Sequence, residues 1–151
     1  MDNLLPGVLE TLHETARETF EILAFSEMSC WEIASTGPDS NDSWIGAAID
    51  IHQPFSCRFS LLLNRKQCRQ FVETAYGPEI SDVPAIDCIF ADYMGELANT
   101  IAGRLAAAFA QPDGKIVVGL PQPCGTPSAD EKQTAVSFLL EDTAAWCFLE
   151  M

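Results

Sequence analysis

Basic residues are scarce in this chain. Eight Lys and Arg stand against 22 Asp and Glu, a formal net charge of −14. A surface of that sign repels phosphate backbones and anionic lipid, which argues against nucleic-acid binding and membrane-surface binding. No apolar run reaches the roughly 18 residues that a membrane span needs. The opening Met-Asp-Asn-Leu-Leu-Pro lacks the basic stretch of a signal peptide, so a cytoplasmic protein is expected. Histidine is nearly absent: His13 and His52 lie far apart, with no Ser or Cys pattern to suggest a nucleophilic triad. The six cysteines, at 30, 57, 68, 88, 124 and 147, include no C-x-x-C pair and no His at metal-ligand spacing. Most sit in apolar surroundings and read as small core residues in a reducing compartment, not as a disulfide framework. The acidic tract Thr36 to Ser43 lacks the alternation and distal Glu of a calcium loop.

What is present is a core. Of 151 residues, 48% are hydrophobic and nine are Phe, enough for one domain spanning 1–151. Val8, Leu12, Ala16, Phe20 and Leu23 step at helical spacing, and Pro6 suits a first turn, so a helix is expected from about Pro6 to Ala24. Met28 to Ser35 reads as a strand with Trp31 and Ile33 on one face. Trp44 to His52 alternates with Ile45, Ala47, Ile49 and Ile51 inward, and Phe55 to Leu63 returns with Cys57, Phe59, Leu61 and Leu63 inward. Asn64 can cap a short helix that ends at Gly77-Pro78. A long helix is expected from Asp82–Pro84 to about Ala110, then a turn at Pro112-Asp113-Gly114 and a strand over Lys115 to Leu120. After a Pro-rich link, Gln133 to Glu141 and Ala144 to Met151 read as a hairpin. The order predicts an α+β fold: a largely antiparallel sheet of about six strands, with a long N-terminal and a long central helix packed on it.

The long helix carries the most informative pattern. Ile86, Phe90, Met94, Leu97, Ile101, Leu105 and Ala108 form its apolar stripe. Asp92, Glu96, Asn99 and Gly103 form a second stripe within a wedge of roughly 60° on the opposite side. Most polar stripes on amphipathic helices are solvated faces, and the pattern alone leaves that reading open. Asn and Gly are poor choices for a face that is only solvated: Asn competes for backbone partners, and Gly costs about 1 kcal/mol relative to Ala. A glycine at 103 would also allow another surface to approach closely. The one basic cluster, Arg65, Lys66 and Arg69, falls in the first turns of the preceding helix, where positive charge opposes the helix dipole. It reads as an ordinary exposed patch, with partner contact as the alternative.

An acidic residue, three residues, Glu, two residues, Asn, and a Pro some twenty residues on form a signature. Here it is Asp92, Glu96, Asn99 and then Pro121 in Val118-Gly119-Leu120-Pro121. With Ala-Asn-Thr-Ile-Ala-Gly and Gly-Leu-Pro-Gln-Pro-Cys-Gly around it, the stretch resembles the CheC/CheX family of chemotaxis phosphatases, the CheX-type branch most of all. The resemblance implies hydrolysis of the aspartyl phosphate of a CheY-like response regulator. It implies catalytic roles for Glu96 and Asn99 and binding roles for Asp92 and Gly103. It implies no metal or cofactor of the chain's own, the Mg²⁺ belonging to the regulator. It also implies a homodimer, for which the apolar ending Trp146-Cys147-Phe148-Leu149 suggests sheet extension across chains. The alternative is a non-catalytic CheX-like domain that binds a response regulator or a flagellar switch component.

Overall fold

The computed structural model describes residues 4–127 and 132–151. The start of the chain and part of the Pro-rich link, residues 128–131, lie outside the described residues. The elements run α1 (Leu4–Leu23), β1 (Met28–Ile33), β2 (Trp44–Gln53), β3 (Cys57–Asn64), α2 (Arg65–Tyr76), a 3-10 turn at Pro78–Asp82, α3 (Ile86–Phe109), β4 (Val117–Val118), β5 (Gln122–Cys124), β6 (Gln133–Leu140) and β7 (Thr143–Glu150). The strands form one sheet in the order β1-β6-β7-β3-β2-β4, with β5 also pairing β2, and every pairing is antiparallel. The expected α+β architecture is the observed one, with seven strands where about six were read.

The extra strand comes from the segment read as a link. Lys115 to Leu120 does not form a full strand; only Val117 and Val118 pair with β2, and Gln122 to Cys124 then pair with Gly46 to Ala48 further along the same strand. Pro123 is tolerated there because β5 lies at the sheet's edge.

The core follows from alternation. Ala47, Ile49 and Ile51 of β2, and Cys57, Phe59, Leu61 and Leu63 of β3, point to the helical side with Val8, Leu12 and Phe20 of α1 and Met94, Leu97 and Ile101 of α3. Phe20, Phe59, Phe90 and Phe138 are each fully or almost fully buried. Each such burial stabilises the fold by about 1.5–3 kcal/mol. β3 and β7 lie inside the sheet and are buried on both faces: Leu62, Trp146 and Phe148 form a second apolar cluster, closed over by Ala34, Trp44, Cys124 and Ala135. β7 is paired by β3 on one side and β6 on the other. The apolar ending is therefore interior to its own sheet, which removes the edge on which sheet extension across chains was expected.

Local rules set the helix ends. The Asn64 side chain accepts a hydrogen bond from the Lys66 N–H and caps α2 as its sequence predicts. At Gly77, with φ of 98°, the chain leaves that helix in a conformation that L side chains rarely adopt. α3 starts later than Asp82–Pro84. Pro84 holds Val83 extended, at φ −72° and ψ 131°, so Pro78–Asp82 closes as its own short turn and α3 begins at Ile86. Three expected burials fail. Leu23, at the end of the apolar stripe of α1, is 41% exposed. Ala108 is exposed. Ile33, at the end of edge strand β1, is 65% exposed while Trp31 packs inward on Phe138. A register shift between Ser29 and Glu32, with Cys30 at φ 56°, breaks the two-residue alternation of that strand.

Candidate functional site

α3 presents its buried face to the core and its polar face to a groove. Phe90, Tyr93, Met94, Leu97, Ala98 and Ile101 are buried, while Asp92, Glu96 and Asn99 between them are exposed. The opposite wall is the segment that joins β4 to β5. Ala91, Asp92, Gly95, Glu96 and Asn99 of α3, Leu120 to Pro123, and Ala47 of β2 enclose a cavity of about 400 Å³. Asp92, Glu96, Asn99 and Pro121 of the sequence signature are thus brought to one place by two elements distant in the chain.

Gly103 does not join them. It lies beyond the groove, and a Cβ there would meet nothing within 4 Å. The glycine that permits close approach is Gly95, which the sequence reading passed over. A Cβ at Gly95 would stand 3.3 Å from Pro121 Cγ and 3.5 Å from Pro121 Cβ. The absence of a side chain lets Pro121 seat against the helix between the turns that carry Asp92 and Glu96. Only the register of β5 on β2, with Gln122 opposite Ala48 and Pro123 opposite Ala47, puts Pro121 there. No periodicity within α3 signals that contact.

The three polar side chains are uncommitted. None of Asp92, Glu96 and Asn99 makes a hydrogen bond or ion pair through its side chain among the described residues. The carboxylate and the carboxamide sit one turn apart on a rigid helix and face open space. On the same helix Tyr93 is buried, and its hydroxyl has no partner among the described residues. Burial pushes its phenol well up, and negative charge on neighbours including Glu96 pushes the same way, so the hydroxyl keeps its proton. Among the described residues no three His, Cys, Asp or Glu side chains converge as a metal site.

The basic cluster behaves differently. Arg65 pairs with Asp87 at the start of α3, and the guanidinium groups of Arg65 and Arg69 lie 5.1 and 5.5 Å from the centroid of the Phe90 ring. These contacts join α2 to α3. The cysteines divide by place. Burial pushes the Cys57 and Cys68 thiols up to about 12, and pushes Cys147 up as well, whereas Cys30 and Cys88 are exposed. His13 stacks on Trp31 with ring centroids 4.7 Å apart and packs as an aromatic at the core's margin.

Neither a protein-family model nor a curated protein sequence matches the chain. Solved structures do. CheX from Vibrio vulnificus superposes with a TM-score of 0.74 at 11% identity, over 95% of this chain and 97% of that one. CheX from Desulfovibrio desulfuricans gives 0.69 at 15% identity, over 95% and 97%. A chain of the CheX-CheY-BeF3-Mg²⁺ complex from Borrelia burgdorferi gives 0.71 at 12% identity, over 93% and 95%. No helix among the described residues is long and apolar enough to cross a membrane. TM-scores of 0.69 to 0.74 with near-complete coverage on both sides agree: the chain has the fold of the CheX and CheC-like chemotaxis proteins.

Proposed function

We propose that the protein hydrolyses the aspartyl phosphate of a CheY-like response regulator, with Glu96 and Asn99 as the acting side chains. The observation that carries this reading is the uncommitted, exposed Glu96–Asn99 pair on one face of α3, at the rim of a groove walled by Pro121. The complex of a CheX with CheY in a chain of the same fold lends it support.

The chemistry asks little of the phosphatase. An aspartyl phosphate in a receiver domain has its own Mg²⁺ and its own lysine to offset charge on the phosphoryl oxygens. What remains is to hold a water in line with the leaving carboxylate oxygen. The Asn99 amide can hold it by hydrogen bonding. Being neutral, it brings no repulsion toward the phosphoryl group. Glu96 can meet the receiver's lysine through a charge-assisted bond. Asp92, one turn before Glu96, adds negative potential at the rim. Hydrolysis by positioning forms no covalent intermediate on this chain, and correct placement alone supplies large rate effects. The Mg²⁺ belongs to the substrate protein.

The test is loss of phosphoryl label from a panel of phosphorylated receiver domains, with and without the protein. Accelerated decay for at least one receiver, abolished by Asn99→Ala, is the expected result. Binding to a phosphorylated receiver with no acceleration would replace this reading by that of a non-catalytic binding domain.

A further inference from the structure

The groove wall opposite α3 carries a side chain that the proposed chemistry does not use. Leu120 is 81% exposed, more than any other large apolar residue described. A single exposed leucine says nothing by itself. Its mounting does. On one side Gly119 donates its N–H to the Asp50 carbonyl at 2.7 Å, which fixes the segment to β2. On the other side Pro121 seats on Gly95 of α3, and β5 then pairs with β2. A residue free to fold inward would bury its side chain in the groove it lines. Leu120 is clamped on both sides and held out in water beside Glu96 and Asn99.

We infer that Leu120 is an apolar anchor for the phosphorylated receiver, and that the Gly95–Pro121 contact sets its height above the Glu96–Asn99 pair. The inference rests on the receiver reading and names the partner surface that the site selects. The charged groups lining the groove are Asp92 and Glu96, with no basic residue among them. The fitting surface therefore presents a cation to Glu96 and an exposed apolar side chain next to it, which Leu120 covers on docking. Burial of an apolar anchor beside a charged contact is how a small interface concentrates its affinity. Leu120 touches no reacting group, so it contributes equally to the bound ground state and the transition state. Asn99 contributes only where the water attacks. The two roles separate in kinetics: uniform binding is read in the half-saturating concentration and transition-state binding in the maximal rate.

The experiment measures decay of a phosphorylated receiver at rising concentration of the full chain, for wild type, Leu120→Ser, Gly95→Ala and Asn99→Ala. Leu120→Ser is expected to raise the half-saturating concentration about tenfold, with the maximal rate kept. Gly95→Ala, whose new methyl crowds Pro121, is expected to move the half-saturating concentration in the same direction, and a circular dichroism melt verifies that the variant is folded. Asn99→Ala is expected to lose the maximal rate instead. If wild type accelerates decay and Leu120→Ser saturates at the wild-type concentration, the anchor is overturned and the phosphatase reading stands. If Leu120→Ser loses maximal rate at unchanged half-saturation, the anchor is likewise overturned. If wild type accelerates decay of no receiver in the panel, the phosphatase reading fails and the anchor with it.

Discussion

α2 and α3 both carry polar side chains on accessible faces, and they use them in opposite ways. On α2 and at its cap several polar groups, the buried Gln67 among them, serve the fold. Asn64 caps the helix, Arg65 reaches Asp87, Arg65 and Arg69 lie over Phe90, and Gln67 donates its amide N–H to the Leu140 carbonyl at 2.6 Å. On α3 the side chains of Asp92, Glu96 and Asn99 bond to nothing among the described residues. The difference is what supports the proposed site on α3. A polar cluster consumed by packing stabilises the molecule. One held rigid and left unsatisfied in a groove is available to a partner. Charge alone would point to α2, which carries the chain's one concentration of basic residues, and not to the face of α3 proposed as the site.

The comparison is broken if substitutions on α2 leave stability untouched, or if those on the α3 face unfold the protein. The largest effect is expected for Phe90→Ala, which empties a fully buried position beneath both arginines. A loss of about 3–5 kcal/mol is expected from denaturant unfolding. Gln67→Ala leaves the Leu140 carbonyl without its donor in a buried setting, and about 1–3 kcal/mol should be lost, read as a lower urea midpoint at constant slope. Asn64→Ala removes the α2 cap and should cost about 1 kcal/mol in the same assay. The smallest effect is expected on the polar face of α3, opposite Phe90: Glu96→Ala and Asn99→Ala should each change stability by less than about 0.5 kcal/mol, because both side chains are exposed and unbonded among the described residues.

Much of this arrangement was legible in the chain itself. The three-to-four step of Phe90, Met94, Leu97 and Ile101 separated the two faces of α3, and alternation in β2 and β3 placed Ile49, Ile51, Phe59 and Leu61 on the core side as observed. Asn64 before a helical run is a local signal, and the cap it predicts is present. The misses share a cause: they depend on residues far away in sequence. Gly95 matters because Pro121 lands on it, a consequence of β5 pairing with β2. Pro123 made β5 read as a link, since a proline is compatible with a strand only at an edge, and the edge is a property of the whole sheet. The run Ala145 to Leu149 announced burial without saying against what. Its odd positions face the helices and Trp146 and Phe148 face the second cluster, so the run marks an interior strand and not a free edge. Gly103 lies outside the groove, and a Cβ there would meet nothing within 4 Å among the described residues, which leaves room for another surface.

The central claim is that the uncommitted pair on α3 acts on a phosphorylated receiver. It is tested most directly by the maximal rate of receiver dephosphorylation for wild type and Asn99→Ala, measured at saturating concentrations of the protein. Loss of the positioning amide is expected to remove at least about a hundredfold of the acceleration, while the half-saturating concentration and the unfolding midpoint stay near wild type. An Asn99→Ala variant that dephosphorylates the receiver as fast as wild type would contradict the account.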